Sequence, residues 1–219
     1  MLCYAMSRKL FKETRNLIPL TEAQTKQFKN PDNDPRGSWK ADNFTAPGFR
    51  PNQMYEIRLP SGRAVTPPGG RRWRVTKDGF EKATSEEKMY YGPDGDGAPS
   101  IKRFLSEMPG MVPWTWWAHT KAGHSQEEKK ESQALFGSDN AFGTPKPERL
   151  IQRVLQIATN PGDLVLDSFL GSGTTAAVAH KMGRRYIGIE MGEHAVSYCI
   201  PRLAKVIDGE QGGISLAVN

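Results

Sequence analysis

Apolar positions near the start of the chain come at Leu10, Phe11, Leu17, Ile18 and Leu20, and Pro19 breaks any helix that would join them. A second short helix is expected after Thr21, a residue type that caps helices. The stretch NPDNDPRGSWKADNFTAPGF (30–49) is dense in Pro, Asn, Asp and Gly and reads as loop. From Met54 the period changes to two. Tyr55, Ile57 and Leu59 alternate with Glu56 and Arg58, Ser61-Gly62 turns the chain, and Ala64 and Val65 return, which predicts a hairpin. RRWRVT (71–76) predicts another strand, with Trp73 and Val75 on one side and arginines on the other. KDGFEKATSEEKMYYG (77–92) is expected as a helix ending near Gly92, and IKRFLSEM (101–108) as a helix begun by Pro99 or Ser100. Ser125 has the type and position of a cap for QEEKKESQALF (126–136), with Glu127 and Glu128 in its first turn and Gly137 past its end. The run KAGHSQEEKKE reads as an exposed charged helix, and Trp73, Trp114, Trp116 and Trp117 as core.

A different organisation follows. PERLIQRVLQIAT (147–159) sets Leu150, Ile151, Val154, Leu155 and Ala158 at helical spacing, and DLVLD (163–167) is a short apolar strand. GTTAAVAHKMG (173–183) is a small-residue helix closed by Gly183, RRYIGIE (184–190) is a second strand, and GEHAVSYCIPRLAKVI (192–207) is a helix containing Pro201. Helix, strand, helix, strand, helix is α/β organisation. The pattern divides the chain into a helical and loop segment over 1–35, a central region over 36–143 and an α/β portion over 144–219.

Charge sharpens the central region. The chain carries 30 Lys and Arg against 24 Asp and Glu, a net +6. Between Arg36 and Thr76 there are eight basic residues against Asp42 and Glu56 alone. Arg36, Lys40, Arg63, Arg71, Arg72 and Arg74, interleaved with aromatics, are therefore candidate contacts for a polyanion such as DNA. Cys3 and Cys199 lie far apart, and the four histidines form no ligand spacing with them, so neither a disulfide framework nor a metal site is expected. With no apolar run of 18 residues and no signal-like start, the chain reads as soluble and cytoplasmic, with no membrane partner.

The candidate chemistry sits in LDSFLGSGTT (166–175). Gly171 and Gly173 permit backbone geometry and close ligand approach that a Cβ would obstruct, with a helix N-terminus behind them. Glu190 ends the second strand, 19 residues after Gly171, where an acid can accept both hydroxyls of a ribose. GSGTTA also fits the loose dinucleotide pattern, so NAD competes with S-adenosylmethionine. In the NAD fingerprint the glycines follow the strand directly; here Asp167, Ser168, Phe169 and Leu170 intervene. An acid at the strand end repels two phosphates and attracts an ammonium and a sulfonium, which favours S-adenosylmethionine and leaves an NAD-binding fragment as the weaker reading.

TPKPERLIQRVLQIATNPGDLVLDSFLGSGTTAAVAHKMGRRYIGIE (144–190) closely resembles the C-terminal signature of permuted, β-class DNA amino-methyltransferases. Segments upstream, including NLIPLTEAQTKQFKNPDNDPRGSWKADNFTA and VPWTWWAHTKAGHSQEEKKE, are similar to type III Mod-type adenine methyltransferases. The resemblance covers about residues 14–195. It implies a fold of the α/β class, with a partial Rossmann-like methyltransferase sheet and an inserted α+β target-recognition region over 36–143. It implies S-adenosylmethionine as cofactor, with Phe169, Gly171, Gly173 and Thr174 around it, Asp167 below it and Glu190 on the ribose. Thr144, Lys146 and Pro147 fall near the methionine end, Lys146 having the charge for its carboxylate.

The implied reaction moves a methyl group from the sulfonium to the N6 amino group of an adenine flipped out of double-stranded DNA. The D-P-P-Y-type loop that holds such a base is missing: NDPR (33–36) and TPPG (66–69) lack the aromatic and read as turns. No residue here is thus expected to be catalytic. Two α/β-type strands are also too few for a closed-off sheet, so the chain is expected to be the C-terminal portion of a longer enzyme. The expected partners are DNA with a restriction subunit, a second copy of the chain or a separate N-terminal catalytic portion. The alternatives are a non-catalytic DNA-binding specificity fragment, and N4-cytosine in place of N6-adenine.

Overall fold

The Ser7 hydroxyl accepts the Leu10 N–H and starts helix α1 (Arg8–Thr14), which stops ahead of Pro19. The computed structural model describes residues 3–139 and 142–218. The chain forms two compact units, one of residues 19–111 and one of residues 1–18 together with 112–219. No described helix is long and apolar enough to cross a membrane.

In the 19–111 unit, α2 (Glu22–Thr25) begins after Thr21, whose N–H is met by the Gln24 side chain. The 30–49 stretch, expected as loop, contains two strands, β1 (Trp39–Asn43) and β2 (Thr45–Pro47). Its densest run of turn-forming residues ends at Gly37; beyond it Trp39 and Phe44 are buried and anchor the strands in the interior. The expected hairpin forms from β3 (Ile57–Arg58) and β4 (Ala64–Val65), with Ile57 opposite Val65. Strand β5 (Arg71–Trp73) pairs antiparallel with β2. Helix α3 (Lys77–Ser85) ends well before Gly92, because Glu87 takes a left-handed turn (φ 52°) into β6 (Met89–Tyr90).

Residues 101–108 are also not the expected helix. Strand β7 (Ser100–Phe104) runs between β1 and β6, antiparallel to both, and only a single 3-10 turn (Leu105–Glu107) follows. Lys102 and Phe104 are buried while Arg103 between them is exposed, the period of a strand. A lysine at an inward position hides that period in the sequence. Here it is tolerated because Lys102 meets Asp34 at 2.7 Å and Asp32 at 2.5 Å. The core of this unit joins Phe44, Ile57, Leu59, Trp73, Ala83 and Met89.

In the other unit, α4 (His119–Ala122) precedes α5 (Ser125–Phe136), whose N-cap is His124 in place of Ser125; the imidazole Nδ1 accepts the Glu127 N–H. Helix α5 is not a fully exposed charged helix, since Glu128, Ser132 and Leu135 line one buried face at helical spacing. Trp73 is core as expected, but Trp114 and Trp116 are exposed; Trp117 is half-buried, donates to the Trp114 carbonyl at 2.7 Å, and lies beneath the Arg153 guanidinium. Helix α6 (Glu148–Ala158) packs on α7 (Thr174–Lys181), which connects β8 (Leu164–Asp167) to the parallel β9 (Arg185–Gly188). Ala176, Ala177, Val178 and Ala179 of α7 are at most 1% exposed, so small side chains let it press close to its neighbours. A π-helical turn (Ala195–Cys199) leads into α8 (Ile200–Ile207), placing Pro201 in the first turn, where no N–H is required; α9 (Ser215–Val218) follows. Asn16 ties the N-terminal segment to this unit, its N–H donating to the Ile157 carbonyl at 3.0 Å and its side-chain amide to that of Thr159 at 2.9 Å.

The parallel sheet of this unit has two strands among the described residues. One face, Val165 and Tyr186, packs inward. On the other, Leu164, Leu166 and Ile187 are each more than half exposed, as is Ile189 just beyond the strand.

The alternation in β7 predicts that Phe104→Ala destabilises the chain by about 3–5 kcal/mol in urea unfolding, whereas Arg103→Ala costs under about 0.5 kcal/mol. Comparable losses at both positions would contradict the strand assignment.

Candidate functional site

Strand β8 ends at Asp167, whose Oδ1 accepts the Phe169 N–H at 3.0 Å and bends the chain out of the sheet. Leu170 folds back, its N–H donating to the Ile189 carbonyl at 3.0 Å, and covers Gly188. A Cβ on Gly188 would press into the Leu170 side chain, so a larger residue there would push Leu170 aside from its place over the strand end. Gly171 (φ 59°) then donates its N–H to the Glu190 carboxylate. Gly173 (φ 80°) is the N-cap of α7, where a Cβ would stand 3.2 Å from Cys199 Cα. The buried Cys199 thiol donates to the Gly171 carbonyl at 3.2 Å.

This turn forms one wall of a cleft of about 280 Å³. Of the residues singled out in the sequence, Thr144, Lys146, Asp167, Phe169, Gly171 and Thr174 line it. Pro147 is buried behind the lining, Gly173 is buried under the turn, and Glu190 reaches the site through Gly171. Phe142, Pro145, Ile151, Leu170, Ser172 and Thr175 also line the cleft and were not foreseen. The sequence offered a signal for Ser172 and Thr175, which lie within the glycine motif; Phe142 has no motif of its own. Phe169 is 89% exposed, an apolar ring held at the mouth by the Asp167 turn.

The opposite wall, residues 142–147, is braced from α5. Ser132 Oγ accepts the Phe142 N–H at 2.9 Å, Glu131 accepts the Glu148 N–H at 3.1 Å, and Glu127 grips Arg149 with both oxygens. Burial, reinforced by the Glu148 carboxylate, pushes Glu131 up to about 7. Burial would raise Glu148 as well, but Arg202 and Lys181 outweigh it and hold its carboxyl below the ordinary range. Burial also raises Glu128, with the Lys146 ammonium opposing it. Lys146 is an exposed cation on the cleft, near enough to the Glu128 carboxyl to oppose the effect of its burial.

The six basic residues singled out in the 19–111 unit each make contacts within it. Arg36 grips Asp34 at 2.8 and 2.7 Å, and its guanidinium lies 4.5 Å from the Phe104 ring centre. That pair, with Lys102, holds Asp34 well below the usual carboxylate range. Arg74 pairs with Asp42 at 2.8 Å, Arg72 donates to Gln53 at 2.8 Å, and Lys40 lies over Phe28. Arg63 and Arg71 alone of the six line a common groove of about 420 Å³, together with Asn43, Thr45 and Trp73. Arg63 pairs with Asp96 at 2.9 Å and Arg71 donates to Thr45 Oγ1 at 2.7 Å. Among the described residues no group of three His, Cys, Asp or Glu side chains is arranged to hold a metal ion.

A glycine turn opening a helix, an acid (Glu190) two residues past the end of the next strand rather than at its end, and a Thr-Pro-Lys-Pro segment facing them now stand together. Residues 1–200 match the family described as DNA methylase. The chain belongs to that family. Similar relatives of this DNA methylase family member include the probable type III restriction-modification enzyme HindVI Mod subunit of Haemophilus influenzae, 62% identical over 74 residues, or 34% of this chain and 10% of that protein. The type III StyLTI Mod subunit of Salmonella typhimurium is 31% identical over 168 residues, or 73% of this chain and 24% of that protein. The type II methyltransferase M1.MboII of Moraxella bovis is 56% identical over 96 residues, or 44% of this chain and 35% of that protein. The likeness to Mod subunits read from the sequence is thus found, over about a third or less of each relative's length.

Glu131 predicts a pH effect on this DNA methylase family member. The folded chain keeps the Glu131 proton to about pH 7, while the unfolded chain releases it near the ordinary 4.5. Its contribution to stability is full below about 4.5 and is lost as pH rises through 7. Glu131→Gln, which still accepts the Glu148 N–H, should gain about 1–2 kcal/mol over the parent at pH 8 after allowance for solvent screening, with the gain vanishing near pH 4.5. Urea unfolding of both proteins across that range measures it, and a gain independent of pH would refute the assignment.

Proposed function

We propose that this chain binds S-adenosylmethionine in the cleft between residues 142–147 and the 167–175 turn, as the cofactor-binding and target-recognition portion of a DNA adenine-N6 methyltransferase. The observation that carries this reading is the convergence of Thr144, Lys146, Asp167, Phe169, Gly171 and Thr174 on one cleft from segments more than 20 residues apart. The donor set fits the cofactor. Asp167 offers a negative charge to the cationic end, Lys146 a positive one to a carboxylate, and Phe169 an apolar face to a purine. Glu190, anchored by the Gly171 N–H, keeps a second carboxylate oxygen for a ribose hydroxyl. When bound, S-adenosylmethionine supplies a methyl group on a sulfonium sulfur, open to direct displacement. The chain's part is to hold that ligand in one orientation, so that an incoming amino nitrogen meets the methyl in line.

In this reading the D-P-P-Y-type loop that holds the flipped base belongs to another portion, either a separate N-terminal catalytic portion or a partner chain. The uncovered Leu164, Leu166 and Ile187 face supports it, because apolar sheet surface of this kind is ordinarily covered. Adenine rests on the Mod-like segments upstream, and N4-cytosine is the alternative target. Of the expected 36–143 region, residues 36–111, which lie in the 19–111 unit, are read as target recognition, with Arg63 and Arg71 the favoured phosphate contacts because they share a groove. A restriction subunit and a cytoplasmic setting accompany the Mod likeness. The second reading, a non-catalytic DNA-binding specificity fragment that needs a partner subunit, rests on the groove lined by Arg63 and Arg71 and would replace the first if the cleft has no affinity for S-adenosylmethionine.

Calorimetric titration should show S-adenosylmethionine binding that is lost in Gly171→Asp and weakened about tenfold or more in Lys146→Ala. Labelled methyl should reach unmethylated DNA only when a portion bearing the base-binding loop is added, giving N6-methyladenine. Transfer by this chain alone would show that the base is held by its own residues, and N4-methylcytosine would reassign the target. For DNA binding, Arg63→Ala with Arg71→Ala should lower the slope of log affinity against log salt by about 2, while Arg74→Ala leaves it nearly unchanged. Equal effects at all three would remove the groove from the reading.

A further inference from the structure

Two charges are enclosed where the two walls of the cleft meet. Glu148 is 2% exposed and Arg202 1% exposed. Arg202 reaches from α8 beneath the glycine turn and divides its guanidinium. Nη1 donates to Thr174 Oγ1 at 2.9 Å and more weakly to Ser172 Oγ at 3.5 Å, while Nη2 donates to Glu148 Oε1 at 2.9 Å. Glu148 is the first residue of α6, immediately after the 144–147 wall. Its other oxygen accepts Lys181 Nζ at 2.9 Å and the Ile214 N–H at 3.0 Å, and Lys181 also meets Glu210 at 2.8 Å.

Burying such an ion cluster is costly, and well-packed apolar side chains of the same volume would hold α6, α7 and α8 together at least as firmly. An apolar contact has no direction. A planar fork with one prong on the turn and the other on the carboxylate at the root of the facing wall fixes the two walls in register. Resting on the cleft reading above, we propose that Arg202 is a positioning residue for the ligand: through Glu148 it sets the 144–146 segment, which receives the methionine end, relative to the 171–174 turn, which receives the adenosine end. Arg202 touches no ligand itself. Its contribution therefore falls on ligands long enough to engage both walls.

The test compares S-adenosylmethionine with adenosine, which reaches only the turn, in calorimetric titrations of the full chain and its Arg202→Lys and Arg202→Met variants. Lysine keeps the charge but cannot bridge Thr174 and Glu148 together. Arg202→Lys should weaken S-adenosylmethionine by about tenfold or more and adenosine by less than about twofold. Arg202→Met should show the same split wherever it folds, and Glu148→Gln, which keeps the size and loses the charge, serves as the further variant should it not. Equal weakening of both ligands, or no change in either, would reduce Arg202 to a scaffold residue and overturn the proposal. Failure of the parent chain to bind S-adenosylmethionine would instead sink the cleft reading and this proposal with it, an outcome visible before any variant is made.

Discussion

The glycine turn can be open to a ligand only because something rigid lies beneath it, and that support is electrostatic. Arg202, Glu148 and Lys181 sit together with almost no access to water, and the two cations hold the Glu148 carboxyl below its ordinary range against the effect of burial. Helix α6 begins at this cluster, α7 ends on it through Lys181, and α8 enters it through Arg202. Around it the packing is tight and made from small side chains, with Ala177 and Val178 excluded from solvent. The exposed parts of the site, Phe169 and Lys146, project from a foundation that does not need them for its own stability.

Much of the α/β portion was legible because local and tertiary demands agree there. The apolar stripe of α6, the short run of β8, the positive-φ glycines and the small residues of α7 each have one plausible use. The central unit was less legible for equally physical reasons. Lys102 points inward on β7 because two aspartates seventy and sixty-eight positions away neutralise it, and no local pattern reveals so distant a partner. Trp39 opens a strand and Phe44 lies between two, both buried residues set within loop-rich text. At the site, motif residues were readable; the braces Ser132, Glu131 and Arg202 were not, since each looks like an ordinary polar helix residue until its partner is known.

The same distinction separates a count of charges from their arrangement. The basic stretch of residues 36–76 stands out in the sequence, yet most of its guanidinium groups serve the architecture of the unit. Arg36 steadies the Asp34 turn, Arg74 just past β5 meets Asp42 of β1, and Arg72 holds Gln53. Such groups still contribute to the long-range field that draws a polyanion in. Under the proposed reading, direct contact would fall first to Arg63 and Arg71, which line an open groove.

The tie between Asn16 and Thr159 bears on the order in which the chain assembles. Its partners are 143 positions apart, with the entire 19–111 unit strung between them. The unit built on β8, α7 and β9 closes within about two dozen residues, so its contacts are local and can form early. The N-terminal segment must wait until a long loop has been drawn together. Because closure entropy grows only with the logarithm of loop length, the delay costs little at equilibrium. It makes that strap a late seam in assembly without making it a weak one.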